Sequence, residues 1–172
     1  MTTSLTLETL DHITLPVSDL QRAEAFYVAL LGAKLVQRID REAFLKHRPE
    51  RAAEADAANS PLHLTVKLGD GPDIQLFLQR DYAGKIPSPH PHLAMRVDAD
   101  QLDGFALRLT RAGVPCDGPR RLGPPGQASL YFADPWGQLL ELVTTGYRGE
   151  TLSGPPDAAK LAHTASAADS GR

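Results

Sequence analysis

Cysteine is almost missing from this chain: Cys116 is the only one in 172 residues. An internal disulfide is therefore impossible, and the composition fits a reducing, cytoplasmic setting. Long apolar runs are missing as well. Nothing approaches the roughly 18–20 residues that cross a bilayer, so no membrane contact is expected. The first residues, MTTSLTLETLDH, lack the basic start and apolar stretch of a secretory leader. Nor is there an excess of one charge: 18 Lys and Arg face 21 Asp and Glu, interspersed, for a formal net charge of −3. That balance excludes a polyanion-binding surface, and nucleic acid with it.

What is present reads as one soluble domain or two small modules, since 42% apolar and 23% charged residues are ordinary globular values. Fourteen glycines and fourteen prolines predict many turns between short strands. The order of elements then repeats. Leu10 to Val17 alternates as a half-buried strand, and Ser18-x-x-Gln21 predicts a helix N-terminal cap. Leu20, Ala23, Phe26, Tyr27, Leu30 and Leu31 form one helical face, which Gly32 ends. Strands follow at Ala33 to Ile39, His63 to Leu68 and Asp73 to Gln79. In the second half, His90 to Val97 reads as a strand and Leu102 to Ala112 as a helix closed by Gly113. Strands around Val114 to Asp117, Ala128 to Phe132 and Leu139 to Thr144 complete it.

The fold class is therefore α+β, built from two tandem βαβββ modules over 8–82 and 90–147. The registers agree: His12 precedes Val17 by five residues, as His92 precedes Val97, and Gln75 in Ile74-Gln75-Leu76 matches Glu141 in Leu140-Glu141-Leu142. Two segments break the symmetry. Residues 41–61 form a charged, alanine-rich insertion, read as a short helix over a pocket. The tail 148–172 reads as a flexible extension, with a marginal helix over Asp157 to Ala167.

Paired modules bring equivalent positions together, so 12, 92, 75 and 141 should converge. His12, His92 and Glu141 would then supply two imidazoles and a carboxylate to one divalent cation with open positions. Iron(II) or manganese(II) is favoured, with nickel or zinc as alternatives. Gln75 would ligate weakly or hydrogen-bond a substrate oxygen. A glutamate inside LLELV is costly unless paired or metal-bound. His90 is a rival ligand, out of register with His12. His63 is read as packed or partly exposed, and His47 and His163 as solvated. Trp136 and Phe132 are read as packing residues.

The stretches LDHITLPVSDLQRAEAFYVALLGAKLV, HLAMRVDADQLDGFALRLTRAGVP and LYFADPWGQLLELV resemble the vicinal oxygen chelate superfamily over roughly residues 8–147. That group includes glyoxalase I, extradiol dioxygenases, fosfomycin-resistance thiol transferases and metal-free bleomycin-binding proteins. The resemblance implies modules curling into a cup-shaped mixed sheet around the metal held by His12, His92 and Glu141. It also implies a homodimer, whose second chain commonly completes the site, and a small-molecule substrate.

Leu130-Tyr131-x-x-Asp134-Pro135-x-Gly137-x-x-x-Glu141 is similar to the latter part of the extradiol fingerprint, in which the tyrosine assists proton transfer. On that basis a dioxygenase-like oxidation of an aromatic or enolic compound ranks first, although the fingerprint's upstream histidine is replaced around Leu122-Gly123-Pro124. A thiol or nucleophile transferase of the fosfomycin-resistance type comes second. Thr14, Ser129, Tyr131, Arg121 and Arg148 fall at or near its substrate-binding positions, while Gly123-Pro124-Pro125-Gly126 replaces its serine-bearing loop. Glyoxalase-like isomerisation or lyase chemistry is third, because Gln75 stands where a second basic carboxylate belongs and an amide accepts no proton at neutral pH. Metal-free drug binding is last.

Overall fold

The computed structural model describes residues 9–163 and divides into two compact units at Tyr82 and Ala83. In the first, strands β1 (His12–Val17), β2 (Lys34–Ile39), β3 (Asn59–Lys67) and β4 (Asp73–Gln79) form one sheet in the order β1-β4-β3-β2. β1 runs parallel to β4, and the other neighbours are antiparallel. Strict alternation in β4 buries Ile74, Leu76 and Leu78 on one face and leaves Gln75 and Phe77 half-buried on the other.

Helix α1 (Leu20–Glu24) packs over β3 and β4 and continues as a π-helical segment, Ala25–Leu30. Its wider turn lets the Leu31 N–H reach the Phe26 carbonyl at 3.0 Å, so that Phe26, Tyr27 and Leu31 are all buried. The cap differs from expectation. Asp19, in extended conformation, accepts from the Arg22 N–H, so the carboxylate one residue after Ser18 takes the capping position.

The insertion is a helical layer. Asp40 caps α2 (Arg41–His47), a 3-10 turn follows at Pro49–Arg51, and α3 (Ala52–Asp56) leads into β3. Phe44 and Ala55 are buried with Leu62 and Leu78, so apolar residues among the charges dock these helices on the sheet. A two-pronged Arg41–Asp56 pair ties α2 to α3.

The second unit repeats the plan. β5 (His92–Arg96), β6 (Cys116–Arg121), β7 (Ala128–Ala133) and β8 (Leu139–Thr144) lie in the order β5-β8-β7-β6, again with first and last strands parallel. Helix α4 (Leu102–Arg111) buries Leu102 and Leu109. The Asp134 carboxylate accepts from the Trp136 and Gln138 N–H groups to close the turn before β8. Gly137 there has φ +83°, and an added Cβ would lie 1.8 Å from the Lys85 carbonyl oxygen, so no other residue fits. Trp136 and Phe132 are packing residues as expected.

Residues 148–163, the described part of the expected loose tail, are packed. β9 (Leu152–Ser153) adds to the edge of β6, and a 3-10 turn at Ala158–Leu161 buries Ala158 and Leu161 against Tyr131, Ala133 and Leu139. Arg120 donates to the carbonyls of Ser153 and Gly154, and Asp117 accepts from the Asp157 N–H. His163 is not solvated: its Nε2 lies 2.8 Å from the Ala133 carbonyl. Two buried aliphatic groups and four polar contacts therefore hold a segment whose composition suggests a linker. The helix proposed to reach Ala167 extends beyond the described residues. Among these residues, no helix is long and apolar enough to cross a membrane.

Candidate functional site

In each unit the first and last strands set the same register. His12 pairs with Asp73 and Thr14 with Gln75; His92 pairs with Leu139 and Ala94 with Glu141. Each histidine therefore stands two residues before the partner of the repeated position, on the face that carries it. Gln75 and Glu141 are true equivalents.

The second unit brings most of the expected residues together. Tyr131 pairs directly with Glu141 across β7 and β8, and Ser129 and His92 lie diagonally on the same face. Glu141 is only 8% exposed, yet both its oxygens are engaged. Ser129 Oγ donates to Oε1 at 2.5 Å, and Oε2 lies 3.0 Å from His92 Nε2. The His92 ring is also edge-on to Tyr131 at 6.3 Å. Burial and then the negative charge of Glu141 hold the Tyr131 phenol above its ordinary range, so it stays a neutral donor at physiological pH.

The donor set suits a divalent metal. His92 Nδ1 lies 2.8 Å from the Pro89 carbonyl, which only accepts, so Nδ1 carries a proton. Nε2 is then the ring nitrogen that faces Glu141 Oε2, so the imidazole and the carboxylate stand side by side as two donors to one cation would. A carbonyl that orients a ligating imidazole is the usual support for such a ligand. Among the described residues of this unit, no third His, Cys, Asp or Glu side chain joins the pair.

His12 lies in the first unit, at the start of β1, with Nδ1 2.6 Å from Asp11 Oδ1. Thr14 is exposed beside Gln75 and lines a small pocket with Pro16, Asn59, Ser60, Phe77 and Gln79. His63 stacks on Phe77 at 4.5 Å. His90 is exposed and stacks on His92 at 5.4 Å. Arg121 is exposed at the end of β6, and Arg148 lines a groove beside α4 with Asp100, Asp103 and Tyr147.

Two residues near the site escaped the sequence reading. Arg120, not Arg121, pairs with Ser129; its guanidinium holds Asp117 at 2.7 Å. Gln127 donates to Ser129 Oγ at 2.6 Å. Alternation back from Ser129 would have found Gln127, whereas the irregular register between Asp117 and Arg120 hides Arg120.

The family model for the Glyoxalase/Bleomycin resistance protein/Dioxygenase superfamily matches residues 9–142. Metallothiol transferase FosB of Shouchella clausii (strain KSM-K16) is 30% identical over 146 residues, covering 84% of this chain and 84% of FosB. Glutathione transferase FosA of Serratia marcescens is 29% identical over 136 residues, 79% of this chain and 80% of its own. Among solved structures, a mutant of the Listeria monocytogenes fosfomycin resistance protein FosX, complexed with Mn(II) and 1S,2S-dihydroxypropylphosphonic acid, superposes with a TM-score of 0.60 at 22% identity. It covers 81% of this chain and 94% of FosX. A glyoxalase/dioxygenase from Nostoc punctiforme gives 0.58 at 22% identity, covering 84% and 98%. These structures share the α+β arrangement of repeated strands described above. With the matched registers and the His92–Glu141 pair, the match establishes that this chain belongs to the Glyoxalase/Bleomycin resistance protein/Dioxygenase superfamily.

Proposed function

We propose that the protein is a divalent-metal-dependent transferase that adds a thiol or related nucleophile to a small, oxygen-rich electrophile, in the manner of the fosfomycin-resistance enzymes. The observation that carries this reading is the His92–Glu141 pair, with Ser129 and Tyr131 on the same sheet face, in a chain 30% identical to a metallothiol transferase. His92, Glu141 and His12 would hold the metal, with His12 contributed by the same chain or by a second copy in a homodimer. When bound, the metal would polarise a substrate oxygen and stabilise the negative charge that develops there.

The chain's own side chains supply the rest. Tyr131 would donate a hydrogen bond to a substrate oxygen from a phenol that burial keeps protonated. Glu141, engaged by Ser129, keeps its second oxygen for the metal. Gln75 at the equivalent place in the first unit cannot abstract a proton, which disfavours glyoxalase-type isomerisation. Thr14, Arg121 and Arg148 remain candidates for contacts with an anionic substrate.

The sequence ranked oxidation of an aromatic or enolic compound first; the curated relatives favour transfer, and oxidation becomes the alternative. The test is direct. Protein purified anaerobically is analysed for metal, loaded with Mn(II), and offered glutathione with a small epoxide bearing a phosphonate. Loss of thiol and an adduct of the summed mass are expected. Oxygen uptake with aromatic diols, without adduct formation, would replace this reading with the oxidative one.

A further inference from the structure

We propose that Gln127 is a positioning residue that acts through the Ser129 hydroxyl to commit one oxygen of Glu141 and present the other beside His92. The proposal rests on the reading of His92 and Glu141 as metal ligands, and it assigns a role to a residue that touches neither the metal nor the substrate.

The directions from Gln127 to Glu141 follow from the groups involved, with the Tyr131 hydroxyl as a further hydrogen-bond neighbour of both Ser129 and Glu141. Gln127 Oε1 accepts from the backbone N–H groups of Leu122 and Gly123, each at 3.0 Å. Only the carbonyl end of the amide can do this, so Nε2 must be the end that donates to Ser129 Oγ. Ser129 Oγ, having accepted, gives its single hydrogen to Glu141 Oε1. Ser129 is fully buried, so no water competes for that hydrogen. Oε2 is then the oxygen left 3.0 Å from His92 Nε2. Each bond polarises the next in this low-dielectric setting.

The origin of the chain lies in the loop Gly123-Pro124-Pro125-Gly126, which the metal-ligand reading does not otherwise use. Gly123 sits so close that an added Cβ would lie 3.3 Å from Gln127 Cγ. The loop's backbone thus reaches the carboxylate through two side chains. A carboxylate held by one oxygen serves as a one-toothed ligand and leaves coordination positions for substrate.

Gln127→Glu is nearly isosteric and can still accept from both loop amides. It cannot donate to Ser129, whose hydrogen would turn towards the new carboxylate and leave Glu141 Oε1 facing lone pairs. Free Mn(II) is titrated by electron paramagnetic resonance against wild type, Gln127→Glu, Ser129→Ala and the double variant. Circular dichroism monitors the fold of each. We expect Mn(II) affinity to fall about 10–100-fold in Gln127→Glu, the usual penalty for disturbing a ligand's support. In the Ser129→Ala background, Gln127→Glu should cost nothing further, because its effect passes through the missing hydroxyl. A merely structural glutamine would give additive losses. If Gln127→Glu does not fold, Gln127→Ala carries the same expectation without added charge. Wild-type affinity in the single variant, or additive losses, overturns the positioning role and leaves the metal site standing. No Mn(II) binding by wild type overturns both.

Discussion

His92 Nε2 and Glu141 Oε2 approach to 3.0 Å across the parallel pair β5 and β8, although 49 positions separate the two residues in the chain. The contact follows from register: His92 pairs with Leu139, and one pleat further along the same face stands Glu141. His90, also near this edge, makes a ring stack rather than a carboxylate contact.

Removal of either histidine should therefore separate their roles. His92→Ala is expected to lose bound manganese on gel filtration, because an open site lacking one protein ligand retains too little binding energy. His90→Ala should retain it. Metal content by mass spectrometry decides, and the reverse pattern would transfer the ligand role to His90.

His12→Ala and His92→Ala also test whether two chains share a site. Each variant alone should fail to bind metal. If the site combines His12 of one chain with His92 and Glu141 of another, unfolding and co-refolding the two variants should regenerate about one intact site per mixed dimer, since one of its two sites receives no substitution. Recovery of manganese in the mixture indicates a shared site. Continued absence places all three ligands in one chain.

Tyr147 predicts a pH dependence of stability. Its hydroxyl donates to Asp103 at 2.7 Å, and that bond, then burial and the Asp103 charge, push the phenol up to about 12. Tyrosine in an unfolded chain titrates near 10. Between those values the folded state keeps a proton that the unfolded state has released, so the contribution is complete below about pH 10 and fades as pH rises through about 12. Urea midpoints of wild type and Tyr147→Phe should differ most near pH 8 and converge by about pH 12. A gap that does not change with pH would mean the hydrogen bond is not made in solution.

Leu161, 1% exposed, is the main anchor of the C-terminal segment on the sheet face that carries Tyr131. Leu161→Ala should cost about 2–5 kcal/mol in urea denaturation, the range for a large buried aliphatic side chain. A loss below about 0.5 kcal/mol, typical of exposed sites, would show that the segment does not pack in solution.

Much of this was legible in one dimension because it depends on local periodicity. The strands Asp73–Gln79 and Leu139–Thr144 match their sequence-read bounds, since alternation and flanking turn residues are local signals. The equivalence of Gln75 with Glu141 was readable for the same reason: a repeated unit keeps its register. Other features were not local. Ser18 and Asp19 both make good caps, and backbone geometry chose Asp19. Arg120 and Arg121 alternate faces, and an irregular register decides which of them pairs with Ser129.

By itself, then, the order of residues determined two βαβββ units and the placing of His12, His92, Gln75 and Glu141 at matched positions, because pleat and repeat length are properties of short segments. Tertiary structure decided what those side chains touch. It linked Gln127 to Glu141 through a buried hydroxyl and pinned a linker-like tail beside Tyr131. Such contacts join residues remote in the chain, and their strength comes from shared burial that no single segment encodes.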